Sequence, residues 1–169
     1  ITALMIFFPE RVHSVLGFMV GGLSARSWKH FYIILPYALV GLALAGVLAR
    51  RMNILLLGDD TAKSLGLHVE KNRLIFIAIA ALLAASAVSV AGLLGFVGLI
   101  VPHMTRFMIG SDYRYLLPAS ALSGAALIMI CDTLARVVLD PVEIPVGVIM
   151  ALLGAPFFLY LLRSNLNKG

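Results

Sequence analysis

Charge is what this sequence is short of: only 12% of its 169 residues are Asp, Glu, Lys or Arg, while 62% are hydrophobic. Water-soluble domains average roughly 25% charged, so most of this chain's exterior must face something apolar, and lipid is the simple answer. Cysteine is nearly absent too. The single Cys131 excludes an internal disulfide framework or a Cys-based zinc cluster, and inside an apolar run it reads as a small buried hydrophobe. His13, His30, His68 and His103 are scattered, with no carboxylate or second histidine at ligand spacing, so a metal site is not expected. A G-x-x-x-x-G-K-[ST] phosphate loop and a nucleophile elbow are both missing. Without any catalytic set the chain reads as a non-enzyme, and energy input must come from another subunit. There is no low-complexity linker and no sign of a second, soluble domain.

Long apolar runs fill the space. A helix crosses the bilayer hydrocarbon with about 20 apolar residues. Residues 31–49 form one such run, closed by Arg50 and Arg51; residues 74–101 form another without a charge. Residues 115–131 repeat the pattern until Asp132, and 144–162 make the last run before Arg163. The opening stretch ITALMIFF begins at Ile1 in mid-run, with no n-region before it and no A-x-A-like site after it. It reads as the inside of a helix, which makes the chain a piece of a longer one. Residues 13–22 are too short to cross and are expected to form a partial or interfacial helix. The net charge of +5 would suggest nucleic acid in a soluble protein; here the basic residues lie between apolar runs, which suits loops facing anionic lipid.

The run 74–101 is either one helix or two, and charge decides. Arg50, Arg51, Lys63, Lys71 and Arg73 precede it, and Arg163 and Lys168 close the chain. If both groups are cytoplasmic, an even number of crossings separates them. That requires a split near Gly92 into pieces of roughly 74–91 and 92–110, with Gly92, Gly95 and Gly98 supplying the flexibility. Arg106 and Arg114 then also fall inside, leaving Arg11, Arg26, Lys29 and Arg136 outside. Small residues four apart (Ala80/Ala84, Ala81/Ala85, Ser120/Gly124, Ala121/Ala125) would let helix backbones approach closely. The fold class is therefore all-α, a polytopic transmembrane helical bundle.

Three segments carry functional signals. In LGDDTAKSLGLHVEKNR, residues 57–73, Asp59 or Asp60 can cap a short helix and Gly66 can close it. Ala62, Leu65 and Leu67 would then be exposed for a partner's groove; an ordinary inter-helix loop is the plainer alternative. In GFVGLIVPHMTR, residues 95–106, Pro102 disfavours helix at Val101, and a break at membrane depth needs a protein or water-lined setting. His103 suits a hydrogen-bonded structural role. In the third segment, Asp132 and Arg136 are spaced for a helical ion pair, with Asp140 and Glu143 beyond. An intramembrane carboxylate is costly and normally partnered. The pair is either purely structural or part of a charged rim with Glu143 that receives a docking protein.

These motifs together resemble the FecCD-type ABC transporter permeases, which import iron–siderophore complexes, haem, cobalamin and some oxyanions. The resemblance rests on FMVGG followed by Trp28, LLLGDDTAKSLGL, GFVGLIVPHMTR, GSDYRYLLPASALSGA, CDTLAR and EIPVGVIMALLGAPFFLYLL, in order, from about Phe18 to Arg163. It implies the type II ABC importer permease fold in part: residues 1–169 would be the C-terminal half of the transmembrane domain, from the end of helix five through helices six to ten. It also implies ATP-driven import of an iron–siderophore or related metal chelate across the bacterial cytoplasmic (inner) membrane by alternating access. The implied partners are a second permease subunit (the same or a different chain), a cytoplasmic ABC ATPase dimer that binds the ATP, an extracytoplasmic substrate-binding protein, and lipid; no nucleic acid and no cofactor in this chain are implied. By motif match Gly58, Asp59, Asp60, Ala62, Leu65, Gly66 and Leu67 would contact the ATPase, and Arg136 would pair with a binding-protein carboxylate. The family's loop commonly reads D-H-R where this chain has Asp112-Tyr113-Arg114. A proton- or ion-coupled secondary transporter using Asp132 is the alternative, followed by a purely structural membrane subunit.

Overall fold

A computed structural model describes residues 17–24, 26–138 and 144–166. Among them the regular structure is helical: α1 Trp28–Leu55, α2 Asp59–Ser64, α3 Val69–Ala91, α4 Val97–Ile109, α5 Tyr113–Val137 and α6 Val146–Leu166, with a helical turn over 17–20 before them. α1, α3 and α5 are long and apolar enough to cross a membrane; α4 and the stretch Val146–Leu161 are apolar but shorter. The chain divides into two compact units. One comprises Ser27–Ala87 and Pro102–Ser123; the other takes the residues up to Arg26, Val88–Val101 and those from Gly124 on.

In the first unit, α1 exceeds its expected bounds at both ends. Its 28 residues extend about 42 Å against roughly 30 Å of hydrocarbon, so Arg50 and Arg51 lie on a helical turn beyond the apolar run. Pro36 sits inside it without ending it. Its buried positions are Gly41, Ala45 and Ala49, a small-residue row four apart that lets backbones close up where lipid supplies no hydrophobic drive between helices. A Cβ on Gly41 would overlap Leu83 of α3. The expected rows on α3 and α5 behave differently: Ala80, Ala81, Ala84 and Ala85 are exposed, as are Ala121 and Ala125, whereas Ser120 is half-buried and Gly124 buried. Spacing alone does not say which face of a helix is covered, and the tight row is the one on α1.

In the second unit the packing centre is Cys131, Ala135, Val146 and Met150, bordered by Leu94, Val97, Leu127 and Ile149. Cys131 is fully buried there, as a small hydrophobe would be. The split of the 74–101 run is real: α3 ends at Ala91, and Gly92 takes φ +73°, open to glycine at little cost. Three backbone segments meet at this point. Gly22 N–H donates to the Ala91 carbonyl (2.8 Å), Leu93 N–H to Phe18 (3.0 Å) and Gly147 N–H to Gly21 (3.4 Å). A Cβ on Gly147 would run into the Val20 carbonyl. The expected break at Pro102, by contrast, is not found: α4 passes through it, as membrane helices tolerate proline when local adjustments and neighbours re-satisfy the freed carbonyl. The irregular backbone lies at 92–96 instead. α5 likewise continues past Asp132 to Val137, because that carboxylate finds a partner on its own helix.

Candidate functional site

The short helix α2 follows a three-residue turn after α1. Gly58, at φ +97°, is its N-cap, with Asp59 and Asp60 in the first turn. The expectation that one of these carboxylates caps the helix is therefore corrected: both lie inside it, where their charge still suits the helix dipole. Asp59 instead accepts two hydrogen bonds from Arg73 Nη2 on α3, at 3.1 and 3.3 Å. Gly66 closes the helix as expected. At φ +80° it donates to the Lys63 carbonyl (2.9 Å), and Leu67 N–H donates to Ala62 (3.0 Å). This pair of bonds is the Schellman closure, which satisfies carbonyls a helix end otherwise leaves open.

Six residues thus form a stiff, closed turn with two different faces. Ala62, expected to be exposed, has no accessible surface; it is the seat of the helix, because its small side chain lets α2 lie close to its supports. Leu65 is 61% exposed, and Leu67 is half-buried. An open groove of about 470 Å³ runs along the C-terminal side of the turn, lined by Lys63, Leu67, His68, Glu70 and Lys71 among others.

Two polar brackets fix the support, and neither was anticipated. Asn72, almost fully buried, donates from Nδ2 to the His68 carbonyl (2.9 Å) and accepts from Arg51 Nη1 (3.2 Å). Asn53, in the last turn of α1, donates to Asp112 Oδ1 (2.6 Å) and accepts from Tyr113 N–H (2.9 Å). Asp112 in turn caps α5, accepting from Arg114 N–H at 3.0 Å. That backbone donor, then Asn53, then the Arg114 charge hold the Asp112 carboxyl below the ordinary carboxylate range. The end of α1 and the starts of α3 and α5 are thereby tied together, as the split at Gly92 requires. The available signal was one asparagine four residues past the end of the first apolar run, Asn53, and another two residues before the next run begins, Asn72.

The second candidate is the charged step on α5. Arg136 Nε donates to Asp132 Oδ2 at 2.9 Å, with the two side chains 48% and 20% exposed. Arg136 is thus engaged by its own helix while nearly half of it remains accessible. Glu143 and Asp140, the rest of the expected rim, lie outside the described residues. The α2 segment and the Asp132–Arg136 pair belong to different units.

The model of the FecCD transport family matches residues 1–164. The chain belongs to that family. It is 41% identical over 98% of its length to the Fe(3+)-citrate import system permease protein YfmE of Bacillus subtilis, covering 50% of that protein. It is 44% identical over 96% of its length to the cobalamin import system permease protein BtuC of Halobacterium salinarum, covering 43% of it. Among solved structures, an ABC transporter assigned to the metal-chelate type and captured inward-facing superposes with a TM-score of 0.87 at 30% identity. That match covers 96% of this chain and 53% of the other. The chain spans about half the length of these relatives. It is a multi-pass protein of the cytoplasmic membrane, built as an all-α ABC permease.

Proposed function

We propose that this chain is the C-terminal half of the membrane-spanning subunit of an ATP-driven importer, carrying an iron–siderophore or related metal chelate inward by alternating access. In this reading Gly58–Leu67 rests on a cytoplasmic ABC ATPase dimer, which binds the ATP; this chain holds no cofactor of its own. A second permease subunit completes the transmembrane unit, and an extracytoplasmic substrate-binding protein docks at Arg136. The observation that carries the reading is the stiff turn Asp59–Ser64, closed at Gly66, seated on Ala62 and presenting Leu65 outward. Coupling needs contacts that differ between states, and a rigid turn transmits displacement that a loop would absorb. Metal-chelate cargo is supported by relatives named for Fe(3+)-citrate, hydroxamate and hemin import.

The ion-coupled alternative is not favoured. Asp132 is bonded to Arg136 at 2.9 Å, so its carboxylate is already committed to a cation on its own helix. The test is Leu65→Asp in the full-length transporter reconstituted with its ATPase. Uptake and the permease's stimulation of ATP hydrolysis should both fall at least ten-fold, with the thermal midpoint unchanged. Wild-type uptake and stimulation in this variant would refute the assignment.

A further inference from the structure

Among the described residues, one non-glycine side chain sits in the left-handed region of backbone space: Phe96, at φ +64°. For a bulky residue this is an outlier, because its Cβ crowds the adjoining carbonyl. The hydrogen bonding says why it is there. Val97 N–H donates to the Gly95 carbonyl at 2.8 Å, skipping only Phe96. That is a three-residue γ-turn with a positive central φ, a rare and strained form. Leu99 and Ile100 N–H then both donate to the Phe96 carbonyl, at 3.0 and 2.9 Å, so the strained residue is also the cap on which α4 begins.

Strain of this kind persists only where the surroundings over-determine it, and here the surroundings are one missing side chain. A Cβ on Gly154 of α6 would overlap the Phe96 ring. The ring therefore occupies a notch cut by Gly154 in α6. Both partners belong to the same unit. The setting permits movement. Gly95 is the first residue of the turn, and Gly95 and Gly98 are exposed. α4 has 13 residues, about 20 Å of helix, which is roughly 10 Å short of the hydrocarbon thickness. The remainder of that crossing falls to the irregular stretch 92–96, and irregular backbone at membrane depth is tolerated only against protein or water.

We propose that Phe96 and Gly154 form a strained latch for α4: with the ring in the notch the γ-turn is held, and with the ring out Phe96 relaxes to negative φ and the start of α4 shifts. Because transport is how we read the protein, we assign the two positions to different stages of the transport cycle; this assignment rests on that reading, whereas the latch itself does not.

The experiment uses the full-length transporter with 4-fluorophenylalanine at position 96, observed by fluorine NMR. Two slowly exchanging ring resonances are expected. Gly154→Ala should remove the seated one, and trapping the ATPase with ATP and vanadate should change the population ratio at least five-fold. A single resonance, unmoved by either perturbation, overturns the latch. So does a pair of resonances indifferent to Gly154→Ala. Should Gly154→Ala not fold, Phe96→Gly supplies a second arm. Glycine adopts the turn without strain, so this variant should fold as well as the parent yet lose at least ten-fold in uptake; parental uptake overturns the proposal. Absence of ATP-driven uptake in the parent itself, with two resonances that answer to Gly154→Ala, sinks the importer reading and leaves the latch standing.

Discussion

The two units hold their chain crossings together by opposite means. Around α2, side chains do it: Asn53, Asn72, Asp112, Arg51, Arg73 and Asp59 form bridges between segment ends. Around Gly92, the side chains are missing, and carbonyls and amides of 17–22, 91–93 and 147 meet directly. The polar arrangement can be tuned by pH, salt and single substitutions, because each bridge is one of several and partly wet. The glycine arrangement cannot be tuned, since a single methyl group has no room and the obstacle is backbone.

The contrast is broken most severely at Gly147. Gly147→Ala places a carbon against the Val20 carbonyl, and overpacking against rigid backbone costs about 3 kcal/mol; thermal unfolding in detergent should show the largest drop of this series. On the polar side Asn53→Ala strands the Tyr113 N–H and removes a donor from Asp112, a loss of about 2 kcal/mol by the same measurement. Acid should act on that side through Asp112. Asp112 has a lowered pKa in the folded protein, so its stabilisation is present at neutral pH and is lost as pH falls below about 4. Comparing the unfolding midpoints of the parent and Asp112→Asn from pH 6 to pH 3 should show a steeper acid loss in the parent; parallel curves would deny Asp112 that role. Smallest is Arg73→Ala. The Asp59–Arg73 pair is half-exposed on both sides, worth under about 1 kcal/mol, and the difference should vanish in high salt.

Much of this was legible beforehand, and the reasons are specific. The crossings follow from apolar run length, which lipid enforces directly. The split near Gly92 followed from charge parity, and Gly66 could be read as a helix stop because few residues other than glycine take its φ. What could not be read was partnership. Ala62 looked like an exposed edge of a polar loop, yet it is the buried seat; nothing in DDTAKS tells which face α1 covers. Asp59 looked like a cap because its partner, Arg73, lies fourteen positions away. Pro102 looked like the break because proline breaks soluble helices, whereas the true irregularity rests on Phe96, a residue with no local signal for positive φ. The row Gly41, Ala45, Ala49 has the same four-residue spacing as the exposed alanine pairs on α3, so spacing does not single it out.

The amide of Asn53 works in two directions at once, donating a hydrogen bond to one neighbour and accepting one from the next. Since Arg51, two positions earlier on the same helix end, reaches Asn72, α1 cannot tilt at this end and leave the others where they were. A sideways force applied there is shared among three rods from the outset, so the stiffness felt at the tip is that of the yoke and not of any one helix.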